Sequence, residues 1–282
     1  MQKKYIITLS CADKKGIVAR VSGFLAENSC NILESAQYND QSTDKFFMRV
    51  VFDAESADLE ELKLKFTEIA CEFAMAWEMH DTSVKPRVLL LVSKESHCLN
   101  HLLHRLRIGT LNAEVPAVVS NHPDLKEFAD WHKIPFHHLP VTPETKAEQE
   151  AKIYELVQEL NIDLVVLARY MQILSPDLCK KLKGQAINIH HSFLPSFKGA
   201  KPYNQAFTRG VKIIGATAHY VTTDLDEGPI IEQEVIRVNH TYTAEQLREA
   251  GSDIENVVLA RAMNYHIERR VLLNGSKTVV FN

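Results

Sequence analysis

Two stretches of the chain gather side chains able to polarise a carbonyl and move a proton. The first is Ile187-Asn-Ile-His-His-Ser-Phe-Leu-Pro195. In a strand, residues two apart share a face, so Asn188 and His190 point one way while Ile187 and Ile189 point the other. An amide and an imidazole side by side at a strand end can hold a carbonyl oxygen and transfer a proton. The second stretch, His219-Tyr-Val-Thr-Thr-Asp-Leu-Asp-Glu-Gly-Pro229, runs from a strand into a loop with Asp224, Asp226 and Glu227. A carboxylate set beside His190 would raise its basicity and orient its ring. Taken alone, each stretch has a blander reading: a backbone-bonded amide, a satisfied core histidine and a solvated acidic loop. Spacing does not bring Asp226 to His190.

His97, His101 and His104 fall on one helical face, with spacings that suit zinc. Local spacing supplies no Asp or Cys to complete the set, since Cys98 lies on another face. They read as solvated surface histidines. The five cysteines, at 11, 30, 71, 98 and 179, are odd in number and contain no Cys-x-x-Cys pair, so they read as free thiols in a reducing compartment. Dinucleotide and phosphate-loop fingerprints are absent, and no nucleotide cofactor is expected.

The elements that must position these groups divide into two sets. Residues 1–82 read as a β-α-β-β-α-β unit. Strands are expected at 5–10, 31–38, 45–52 and 73–79, with helices at 14–27 and 57–71. The polar His80-Asp-Thr-Ser-Val-Lys-Pro86 then separates a second domain, 83–282. There strands at 87–93, 114–120, 162–168 and 185–190 alternate with helices at 96–107, 124–132, 142–160 and 176–183. Such alternation predicts a doubly wound, mostly parallel α/β sheet. Strands at 211–222 and 229–238 would add antiparallel, and a last helix covers 244–270. A length of 282 residues agrees with about two domains. The 32 basic and 36 acidic residues are scattered, with a net charge of −4, so no nucleic-acid partner is indicated. No apolar run approaches a membrane span and no secretory signal is apparent, so a soluble cytoplasmic protein is expected.

The two chemical stretches, INIHHSFLPSFKGAKPYNQAF and IGATAHYVTTDLDEGPII, resemble the signature of the folate-dependent formyltransferase family. The resemblance covers about 87–270. It implies Asn188, His190 and Asp226 as catalytic residues, and a folate-binding loop in Ala168-Arg-Tyr-Met-Gln-Ile-Leu-Ser175 with Leu167, Met171, Gln172 and Leu174 at its core positions. It further implies chemistry without metal or cofactor, folate being the substrate. Asp226 would orient His190 and help position an attacking water, with proton transfer shared between them. His190 would protonate the departing nitrogen or the oxyanion, and Asn188 would donate to the oxyanion. The sequence leaves open which of His190 and Asp226 first takes the proton of water.

The acceptor is the remaining question. Where the glycinamide ribonucleotide members have a glycine-containing phosphate loop, this chain has Leu91-Val-Ser-Lys-Glu-Ser-His-Cys98, without glycine and with Glu95. The stretches 190–203 and Gly251-Ser-Asp-Ile-Glu-Asn-Val-Val-Leu-Ala-Arg261 are similar to the hydrolytic, deformylase branch. The resemblance therefore implies hydrolysis of 10-formyltetrahydrofolate to formate and tetrahydrofolate, balancing one-carbon folate pools and supplying formate for purine synthesis. Formyl transfer to a small amine and an idle folate-binding sensor are the alternatives. The first domain resembles the ferredoxin-like ACT family through Asp13-Lys-Lys-Gly-Ile-Val18, which implies an amino-acid effector at Asp13, Gly16 and Asn31 and a homo-oligomer. By its residues alone, Asp13 reads equally well as a helix cap.

Overall fold

The computed structural model of the protein describes residues 3–54, 58–194 and 202–282. The chain divides into two compact units: one runs to Lys85 and includes Glu268–Asn274 and Thr278–Asn282, and the other holds Pro86–Ile267 with Gly275–Lys277. The domain expected over 83–282 thus gives up most of its end to the first unit.

In the first unit β1 (Lys3–Ala12), α1 (Ile17–Glu27), β2 (Cys30–Asp40), β3 (Lys45–Ala54), α2 (Leu59–Phe73) and β4 (Ala76–Asp81) follow in the expected order. They form an antiparallel sheet, β2-β3-β1-β4. Alternation along β1 sends Tyr5, Ile7 and Leu9 into one core with Val21, Phe24, Leu62 and Phe66 of the helices. Position 57, where α2 was expected to begin, lies outside the described residues. At its other end α2 runs on to Phe73, whose side chain is buried, and Ala74 ends it with φ +50°, so β4 starts later than expected. α1 also starts later than expected, at Ile17. Its N-cap is Gly16, with φ +97° and no side-chain cap, so Asp13 is not the cap its type allowed. Asp13 instead accepts a hydrogen bond from Asn39. The chain end folds back as the hairpin β12 (Val271–Asn274) and β13 (Lys277–Val280), which periodicity did not reveal. The buried Arg49 of β3 donates to the Glu268 carbonyl at 3.2 and 3.1 Å, and Asn274 donates to Asp40 at 2.6 Å.

The second unit contains β5 (Arg87–Val92), α3 (His97–Arg107), β6 (Glu114–Ser120), α4 (Lys126–Trp131), β7 (Phe136–His138), α5 (Lys146–Glu159), β8 (Leu164–Leu167) and α6 (Pro176–Lys181). β9 (Ala186–His190), α7 (Pro202–Arg209), β10 (Ile213–Tyr220), β11 (Ile230–Arg237) and α8 (Ala244–Ile267) complete it. The short edge strand β7 and the helix α7 add to the expected elements. Seven strands lie in the order β11-β10-β9-β8-β5-β6-β7. β9 through β7 are parallel, and β10 and β11 are antiparallel additions. Every residue of β8 is buried, which is why that strand reads as an unbroken apolar run rather than an alternating one. The strand order reverses between β5 and β8, and such a switch point opens a crevice at the carboxyl ends of the strands. No helix among the described residues is long and apolar enough to cross a membrane.

Candidate active site

A cavity of about 900 Å³ opens at that crevice. All of Asn188, His190 and Asp226 line it, as do Leu167, Met171, Gln172 and Leu174. Each arrives for a separate reason. Ala186 packs into one apolar core with Leu167, Tyr170 and Leu174, and by alternation Asn188 and His190 follow it onto that face. The buried Ile187 and Ile189 anchor the strand on the other face. The loop after β8 is held by Ser93 at the end of β5, whose hydroxyl accepts from the Met171 N–H at 2.9 Å and donates to Asn121 at 2.6 Å. This leaves the Met171 side chain 57% exposed at the cavity.

Asp226 reaches the strand ends from the loop between β10 and β11, with φ +56°. Gly228 permits the approach: a Cβ there would stand 1.7 Å from the Tyr220 carbonyl oxygen. Asp226 Oδ2 is 3.3 Å from His190 Nδ1, and Oδ1 is 3.7 Å from His219 Nε2. The His190 ring, which meets Asp226 through Nδ1, holds the Asp226 carboxyl well below the usual carboxylate range, overcoming its partial burial. His190 Nε2 is buried and makes no hydrogen bond among the described residues.

His219 was not singled out from the sequence. Antiparallel pairing sets it directly across from Asn188, so the two share a face. Its Nδ1–H donates to the Tyr220 carbonyl at 2.9 Å, which leaves Nε2 to accept from the Asn188 amide at 3.3 Å. His219 thereby turns the amide's NH₂ end, with its second N–H, toward the reacting groups.

A second cluster lies beside the first. His191 follows the end of β9, with its ring centroid 5.0 Å from that of His190 and 6.3 Å from that of Tyr203. The Tyr203 hydroxyl donates to Glu255 Oε1 at 2.8 Å, His97 Nε2 meets Oε2 at 2.8 Å, and Arg169 Nε stands 3.4 Å from the same oxygen. Burial works to raise the Glu255 carboxyl, but the His97 bond and the Arg169 charge outweigh it and hold the carboxyl low. The reading of solvated histidines is corrected here: His97 lines the cavity and His101 is half-buried, while His104 is exposed. His97, Cys98 and Glu255 bring possible metal-ligand atoms within 4.8 Å of one another. Burial and then Glu255 raise the Cys98 thiol, and Arg169 already balances the carboxylate, a set that suits a metal cation poorly. Positions 195–201 of the resembling stretch lie outside the described residues. In the first unit, Asn31 is exposed on β2 and a Cβ on Gly16 would meet open space, with Asp13 bonded to Asn39 nearby in sequence.

Burial, then Arg169 and His190, push His191 down to about 4. An unfolded histidine, with pKa about 6.5, takes up a proton that the folded ring refuses. The unfolded state then binds more protons between these values, so stability is complete above pH ~6.5 and declines as pH falls to ~4. The decline is on the order of 3 kcal/mol, and His191→Asn should flatten it in urea-denaturation midpoints measured across that window. An unchanged slope in the variant would show that His191 is not the group responsible.

The formyl transferase family model matches residues 86–263, and the ACT domain model residues 5–67. A formyltetrahydrofolate deformylase of Corynebacterium sp. (strain P-1) is 49% identical over 281 residues, 99% of this chain and 98% of that one. The crystal structure of the formyltetrahydrofolate deformylase from Burkholderia mallei ATCC 23344 is 50% identical, with a TM-score of 0.96 over 99% of this chain and 100% of that one. Glycinamide ribonucleotide transformylase 1 from Symbiobacterium toebii is 28% identical, with a TM-score of 0.67 over 72% of this chain and 97% of its own. The transformylase thus shares part of the chain, whereas the deformylases match it from end to end. On that full-length likeness the chain belongs to the formyltetrahydrofolate deformylase family.

Proposed function

We propose that this chain hydrolyses 10-formyltetrahydrofolate to formate and tetrahydrofolate through Asn188, His190 and Asp226. One observation carries the assignment of roles. His190 turns Nδ1 to Asp226 at 3.3 Å and keeps Nε2 buried and unbonded in a cavity wall. An imidazole oriented by a carboxylate on one nitrogen is ready to take a proton on the other. Asp226, held low by the His190 ring, stays ionised and is a weak base, so His190 is the better acceptor of the water proton.

The steps balance. Water oxygen bonds to the formyl carbon while its proton passes to His190 Nε2, and Asp226 stabilises the imidazolium. Asn188 donates its second N–H to the oxyanion. The bond from that carbon to the folate nitrogen then breaks, and the nitrogen takes the proton from His190. Leu167, Met171, Gln172 and Leu174 would seat the folate, and water is the only co-substrate. Asn188→Ala should lower kcat by roughly 10²–10³ with KM within about threefold, read from initial rates of formate release. A raised KM at unchanged kcat would assign Asn188 to binding instead.

The test is acceptor-free turnover. With 10-formyltetrahydrofolate alone, formate and tetrahydrofolate should appear in equal amounts. Turnover that waits for an added amine would make the protein a transferase, and binding without turnover would make it a sensor. The products would return to one-carbon pools and feed purine synthesis in the cytoplasm. Asp13, Gly16 and Asn31 would receive an amino-acid effector on an oligomer. Activity titrated with glycine and then methionine tests this, and a flat response would leave the ACT unit an assembly role.

A further inference from the structure

The transformylase from Symbiobacterium toebii shares the fold of the second unit but is named for passing the formyl group to an amine. Something in this chain must keep amines out, and the geometry points to Glu255. β9 delivers Asn188 and His190 to one face, and the chain leaving its end carries His191 into the same cavity. The side of Leu167, Met171 and Leu174 is apolar. The side of His97, Arg169, His191, Tyr203 and Glu255 is polar, although a hydrolase has no acceptor to seat there.

That polar compartment is occupied by its own groups. Glu255 is 1% exposed, and its two oxygens face Tyr203, His97 and Arg169 from α7, α3 and the loop after β8. Arg169 holds φ +66°, a conformation unusual for a residue with a side chain. Tyr203 lies directly over Gly251, one turn before Glu255, where a Cβ would come within 2.0 Å of the phenol oxygen. A buried ion pair is no better for stability than apolar packing of equal volume, so support of the fold alone does not explain this arrangement. An amine nucleophile needs a hydrogen-bond acceptor to hold its N–H and aim its lone pair. Each oxygen of the buried carboxylate that lies there is already engaged by a group of the chain, Oε1 by the Tyr203 hydroxyl and Oε2 by His97, with the Arg169 charge beside it.

We propose that the Glu255–Tyr203–Arg169–His97 network is an acceptor filter, filling the second compartment and using up its acceptors so that water is the nucleophile that reaches the formyl carbon. The inference rests on the reading of Asn188, His190 and Asp226 as the reacting end of the cavity.

The test supplies 10-formyltetrahydrofolate with excess glycinamide and measures formate and N-formylglycinamide separately. Wild type should yield formate alone. Tyr203→Ala removes the phenol, and Gly251→Ala displaces it, so each should divert at least a tenth of the formyl groups to the amide. There the amine nitrogen bonds to the formyl carbon, the bond to the folate nitrogen breaks, and the proton lost by the amine ends on that nitrogen. Tyr203→Phe keeps the ring and frees one acceptor of Glu255, and should divert less. Formylation of glycinamide by wild type would overturn the filter, as would formate as the sole product of the Ala variants. Loss of all turnover in all three variants would assign the network to holding the fold and overturn it equally. Total turnover by wild type reports separately on hydrolysis, so the two readings fail in distinguishable ways.

Discussion

His190→Ala should lower kcat for formate release by about 10³–10⁴ while leaving the affinity for a non-hydrolysable folate within a few-fold of wild type. Two functions vanish with the ring: acceptance of the water proton and its return to the departing nitrogen. The binding surface survives, because the folate loop is fixed by Ser93 and by apolar packing around Leu174 rather than by His190. The ring is buried at a strand end, so a variant could also lose stability. Parallel urea titration of His190→Ala and the bulkier His190→Gln separates the two effects. Similar losses of kcat in both, at different stabilities, mark a chemical role, whereas recovery of activity with stability would mark a structural one.

Asp226→Asn should cost about 10³ in kcat. The change leaves the shape in place but removes the charge that stabilises the His190 imidazolium. An amide N–H turned toward Nδ1 would also move the neutral ring's proton to Nε2, the nitrogen that must accept. The backbone supports this choice of variant. Asp226 has φ +56°, a region asparagine adopts at little cost and alanine does not. Asp226→Ala would mix strain with chemistry, whereas Asp226→Asn isolates the charge. A variant that retained more than a tenth of wild-type kcat would remove Asp226 from the mechanism.

Much of this arrangement was legible in the residues. The alternation of Ile187, Asn188, Ile189 and His190 assigned two faces correctly because a strand repeats every two residues whatever its partners. His219 was missed for the converse reason. Its role comes from pairing opposite Asn188, and the register of an antiparallel pair is a tertiary fact. Glu255 carried a faint signal: it shares one helix face with Leu247, Gly251, Val258 and Leu259, a charge on an otherwise apolar stripe. What it meets comes from three other elements and is not written locally. The terminal hairpin escaped because its four-residue strands are too short to show a period, and its bond from Asn274 to Asp40 spans most of the chain. The 3.3 Å approach of Asp226 to His190 joins a loop to a strand end 36 residues earlier, and only the family resemblance pointed to it in the sequence.

The central claim is that water, activated at His190, attacks the formyl carbon without any amine. Hydrolysis of 10-formyltetrahydrofolate in ¹⁸O-labelled water, with no acceptor added and with His190→Ala run alongside, tests it most directly. Formate carrying one ¹⁸O, released in step with tetrahydrofolate by wild type and reduced about a thousandfold or more in the variant, is the predicted result. Unlabelled formate, equal rates in both proteins, or no formate until an amine is supplied would contradict it.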